Sequence, residues 1–121
     1  MSNTTTDFNF KITSKTSKAL KDENNHPLWV VEMSRMFRLM GLTNVVPGSQ
    51  TEKPSTPVDI NQWQMNTDKA LILIITNCED EAQALIAGCE TASEAWKTQK
   101  DHYEGRTHMH LAALLLAITN L

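Results

Sequence analysis

The stretch Ile60–Thr76, INQWQMNTDKALILIIT, decides the fold. By composition alone its second half, LILII, is also compatible with a β-strand, and a strand here would require a sheet to receive it. The upstream spacing favours a helix. Ile60, Trp63, Thr67, Ala70, Leu71 and Ile74 fall three or four residues apart and share one face. Asp59 stands in front as a candidate cap. From Ala70 onward the segment is apolar nearly all round, so it is expected to form the central buried helix.

Helical grammar recurs on both sides. Upstream, Pro27–Met40 reads as a helix with Asn25 or His26 as its cap, Pro27 in the first turn and Gly41 as a left-handed stop. Trp29, Met33, Met36, Phe37 and Met40 form its stripe, and Leu28, Val30, Val31 and Leu39 widen the apolar surface. Part of so wide a face is available to a neighbouring molecule. Downstream, Glu81–Ala87 reads as a short helix capped by Asp80 and ended by Gly88. Next comes Thr91–Gly105, TASEAWKTQKDHYEG. Thr91 and Glu94 have capping-box spacing, Ala92, Ala95, Trp96, Gln99 and Tyr103 lie along one side, and Gly105 is the expected stop. A fifth helix is expected from about Thr107, with a stripe of Leu111, Leu114, Leu115 and Ile118 and no stop signal. Five helices and no convincing sheet predict an all-α bundle.

The flanks divide the chain into a polar arm over residues 1–25, expected to be flexible, and a helical domain over 26–121 whose last helix reads as unfinished. Within the arm, Phe8, Phe10 and Ile12 alternate at strand period and could dock on the domain or on a neighbour. Residues 43–58, with Pro47–Gly48 and three prolines in all, read as a long loop. A chain of 121 residues can bury a core without staples. Its net charge of −3 argues against nonspecific phosphate binding. Cys78 and Cys89 are too few for a disulfide framework and read as ordinary thiols. The longest apolar run, Leu111–Ile118, is far short of the ~20 residues of a spanning helix. The expectation is a soluble intracellular protein.

The residues provide no catalytic set, no cofactor motif and no expected metal site. Gly-rich phosphate loops, nucleophile elbows and H-E-x-x-H are missing from the sequence. His102, His108 and His110 are the polar cluster to test, and Tyr103 adjoins it. His108 and His110 are two apart, which places them on different sides of a helix, so solvated histidines are expected. Trp29, Trp63 and Trp96 each sit on the apolar face of a different helix and are expected, with Met33, Met36, Leu71, Ile74 and Tyr103, to anchor the core. An interaction or assembly module fits this inventory better than an enzyme. Its candidate contact residues are Leu28, Val31 and Leu39 on the first helix and Leu111, Leu114, Leu115 and Ile118 on the last.

Three segments in order carry a resemblance. A Trp29–Met33–Met36 helix runs into LMGLTNVV. WQMNTDKALILI comes second, and TASEAWKTQKDHYEG third. This order resembles the capsid region of Gag polyproteins from copia-type LTR retrotransposons over roughly residues 20–118. Thr43 stands where that family usually has Trp, and Gln99 where it usually has Leu. The resemblance implies a capsid N-terminal-domain-like fold. It also implies a non-catalytic structural protein that self-associates into virus-like particles in the cytoplasm, enclosing the element's RNA. RNA would be bound by other parts of the polyprotein, and no membrane partner is implied. A Gag-derived host protein reused for signalling or cargo transport has the same sequence signature. A small helical ligand-binding domain is the alternative from a different class, centred on the histidines.

Overall fold

A computed structural model describes residues 14–46 and 53–119. Among these the elements are four helices: α1 His26–Leu39, α2 Pro57–Thr76, α3 Asp80–Ile86 and α4 Ala92–Thr119. No strand occurs among the described residues; one isolated parallel bridge joins Leu20 to Cys78. The all-α reading therefore holds, and LILII is helical. The division into five helices does not match. Residues 92–119 form one continuous 28-residue helix that passes straight through Gly105. A lone glycine costs a helix only about 1 kcal/mol relative to alanine, and strong helix formers lie on both sides of it.

α1 starts immediately after Asn25, whose side chain turns backward. Its Oδ1 accepts from the N–H groups of Lys21 and Asp22, and its Nδ2 donates to Ala19 O at 2.8 Å. Asn25 thus occupies the cap position without a side-chain cap bond, and His26 N donates to Asp22 O at 3.2 Å instead. The other end is as expected. Gly41 has φ +69°, Leu42 N donates to Phe37 O at 2.8 Å and Gly41 N to Arg38 O at 3.2 Å. This paired 6→1 and 5→2 closure is a Schellman motif, and Leu42 is buried beneath it. Val45 and Val46 are also buried. The start of the expected loop is therefore part of the core, while Pro47 and Gly48 lie outside the described residues.

α2 begins earlier than expected, at Pro57, with Thr56 as its cap and the Thr56 hydroxyl bonded to Asp59 Oδ2. Trp63, Thr67, Ala70, Leu73 and Ile74 are buried. Ile72 is 60% exposed and Leu71 half-buried, so the helix is amphipathic rather than buried all round. α3 is preceded by Glu79, not Asp80; Asp80 is its first residue. Thr91 caps α4 as expected, accepting from Glu94 N at 3.2 Å. Glu94 reaches back to Glu90 N at 3.4 Å, one residue before the expected partner. A second, tertiary cap comes from buried Thr67 on α2, whose hydroxyl accepts from Ala92 N at 3.0 Å. α4 packs against α2 and α3.

The arm is only partly an arm. Residues 1–13, with Phe8, Phe10 and Ile12, lie outside the described residues. Residues 14–25 lie against the helical domain. Leu20 is fully buried; its N–H donates to Asn77 O and its carbonyl accepts from Glu79 N, both at 2.8 Å. Ser17 donates to Glu32 on α1. The polar pattern belongs to a strap whose backbone bonds the α2–α3 turn at Thr16 and Leu20 and the Glu32 carboxylate at Ser17.

Candidate assembly surface

One polar hub and one aromatic cluster position the surface of interest. The hub is Asn77, buried in the α2–α3 turn. Its Oδ1 accepts from Thr16 N at 2.9 Å, and its Nδ2 donates to Leu73 O at 2.8 Å and Ser14 O at 3.0 Å. Its carbonyl accepts the Trp29 indole N–H at 2.8 Å. Asn77 thereby joins strap, α1 and α2. The sequence signal is an Asn just past a helix end, yet nothing local says that its amide reaches a residue 63 positions away.

The aromatic cluster joins α1 to α4. Trp29 and Trp96 stack with centroids 5.6 Å apart, and Phe37 meets Trp96 edge-on at 5.4 Å. His26 lies between Trp29 at 6.1 Å and Tyr103 at 5.3 Å. Burial lowers the His26 pKa below its ordinary value, with Glu104 pulling it the other way. Burial raises the Tyr103 pKa. An ion pair between Arg106 and Glu23 at 3.3 Å sits beside this cluster and fastens α4 to the strap. Being partly exposed, it contributes at most about 1 kcal/mol.

Beneath the cluster lies a polar contact inside the core. Gln99, on the packed face of α4, is fully buried, and its Nε2 meets Cys78 Sγ at 3.2 Å. Its Oε1 has no hydrogen-bond partner. Burial pushes the Cys78 thiol up to about 11. Both cysteines are free, and Cys89 lies half-buried with its sulfur 3.8 Å from Thr98 Oγ1.

Of the expected anchors, Trp29, Met33, Met36, Trp63, Ile74, Trp96 and Tyr103 are buried, and Leu71 is half-buried while Leu73 lies inside. Of the expected contact residues, Leu28, Val31 and Leu39 are exposed on α1, Leu39 by 72%. Leu111, Leu114, Leu115 and Ile118 are all exposed on α4, joined by Met109 and Leu116. Every residue from 108 to 119 is exposed, so this half of α4 stands clear of the bundle. At ~1.5 Å per residue it runs for roughly 18 Å. No Asp, Glu, Lys or Arg occurs in it. Exposed apolar surface of this extent on one helix is the kind of patch on which partner proteins dock, which makes it a candidate contact surface.

A groove adjoins the root of this tail. It comprises two hollows that share His26, Val30 and Glu104: one is lined also by Trp29, Ser34, Trp96 and Lys100, the other by Pro27, Thr107 and His108. His102, His108 and His110 are exposed and do not converge; His102 lies edge-on to Tyr103 at 4.8 Å. No group of three or more His, Cys, Asp or Glu among the described residues is placed to hold a metal ion. No helix among them is long and apolar enough to cross a membrane.

A family model described as gag-polypeptide of LTR copia-type matches residues 33–120. No curated protein and no solved structure matches the chain.

Proposed function

The chain belongs to the gag-polypeptide family of LTR copia-type elements, and from that membership we propose that it is a capsid-forming domain, self-associating into particles that enclose the element's RNA. The family is structural rather than catalytic, in keeping with a core whose polar groups are used to join helices. The observation that carries the reading beyond membership is the α4 tail. Twelve residues, 108–119, are exposed throughout and lack Asp, Glu, Lys and Arg, and five of them are leucine or isoleucine. In water such a helix is stabilised mainly by burying its apolar side against something else.

Shells are built from many small contacts, each weak alone, which lets misplaced subunits leave. A tail of this size suits that role, and the exposed leucines and valine of α1 offer further contacts. With a net charge of −3, the chain is a poor direct ligand for phosphate backbones, so RNA capture is assigned to other segments of a Gag protein. The test is association of the purified chain by multi-angle light scattering and negative-stain electron microscopy across salt and protein concentration. Oligomers or particles that dissociate on dilution are expected. A strictly monomeric chain under every condition would sink the proposal.

A further inference from the structure

We infer that the groove between α1 and α4 receives the α4 tail of a second copy, so that two chains exchange their tails across a two-fold axis. The inference rests on the self-association proposed above and adds the pairing of surfaces.

Two unfilled surfaces lie on the same chain, and their chemistry matches. The tail carries no Asp, Glu, Lys or Arg between Thr107 and Thr119. The groove is lined by Trp29, Val30 and Trp96, with His26, Lys100 and Glu104 as its polar groups. Leucines inserted there would displace water from the Val30 and Trp96 surface, while exposed Lys100 and Glu104 keep their charged ends in water.

The chain cannot fill its own groove in this conformation. α4 is continuous from Ala92 to Thr119, and its exit from the bundle is held by the Tyr103–His26 contact and the Arg106–Glu23 pair. Leu111 lies eight residues past Tyr103, about 12 Å further along a straight axis. The stripe is thus carried away from the groove it matches. A second copy related by a two-fold axis satisfies both surfaces at once, as an isologous interface requires.

The test uses the full chain with Cys89→Ser to remove the half-buried thiol. Ser34→Cys places a thiol on the groove wall with almost no change in size, and Leu115→Cys places one on the tail. The two single variants, one carrying a mass tag, are mixed, equilibrated and mildly oxidised, and products are identified by mass spectrometry. Circular dichroism verifies that each variant remains helical. The expected result is a dimer in sedimentation, a Ser34→Cys to Leu115→Cys disulfide formed only in the mixture, and a shift to monomer on Leu115→Glu. A dimer whose mixture gives no such link, or in which Leu115→Cys links to itself, overturns the groove pairing and leaves self-association standing. An intrachain link in the Ser34→Cys/Leu115→Cys double variant means that the tail folds back at Gly105, which also overturns it. A monomer at every concentration overturns both readings.

Discussion

Gln99 is a polar side chain set wholly inside the core, where one of its amide atoms has no partner. A fully buried amide makes one contact, to a sulfur, and leaves Oε1 unpartnered. Orphaned buried acceptors cost about 1–3 kcal/mol, and a sulfur is only a weak acceptor for the donor. Gln99→Leu is therefore expected to stabilise the domain by about 1 kcal/mol, read as a higher urea midpoint at unchanged m value. His26 makes a second residue-scale prediction. Burial between Trp29 and Tyr103 lowers its folded pKa, so the unfolded chain binds the proton first as pH falls. Stability is full above the unfolded value near 6.5, declines as pH drops below it, and levels off beneath the lowered folded value. A urea midpoint that falls from about pH 7.5 to about pH 5.5 in the wild type and flattens in His26→Asn is the expected pattern. The remaining three histidines are exposed.

At the scale of elements, two glycines have opposite meanings. Gly41 holds a left-handed φ of +69° in the closure of α1, although a Cβ there would meet nothing. Gly41→Ala is expected to cost about 1 kcal/mol from backbone conformation alone. Gly105 lies in the middle of α4, also with open space around it. Gly105→Ala is expected to add about 0.5–1 kcal/mol of helix stability. Thermal melts of both variants check the pair, and equal effects would contradict the assignment. Local sequence reads both as stops because glycine is the common feature of helix ends. The neighbours on the C-terminal side separate them: Leu42 is a buried closing residue, whereas Arg106 and Thr107 continue a helix that packing already holds at Tyr103. Caps are legible where the bond is local, as in Thr91 with Glu94. Thr67 capping α4 from α2 is not, because that bond spans 25 residues.

At the scale of the molecule, the chain is a bundle with one helix extending beyond it. The bundle buries one side of α4 as far as Tyr103; beyond Thr107 every described side chain of the helix is exposed. Hydrogen exchange is therefore expected to be slow over 95–103 and fast over 109–119 in dilute protein, with protection of the tail appearing as concentration rises. Fast exchange of the tail at every concentration would argue against any role in association. The apolar stripes around Trp29, Trp63 and Trp96 by themselves indicated helices with these rings on the inward side, and the order of the three segments indicated which family they resemble. It also marked Leu111, Leu114, Leu115 and Ile118 as a stripe. What only the tertiary structure decided depends on groups far apart in sequence. Residues 14–25 became a strap because Asn77 and Glu79 complete their hydrogen bonds. Gly105 stayed helical because the turns on either side, one of them packed at Tyr103, outweigh a single glycine's small helix penalty. The stripe faces solvent because the bundle ends before it begins. Periodicity records which side of a helix is apolar; what covers that side is set by contacts that no local pattern encodes.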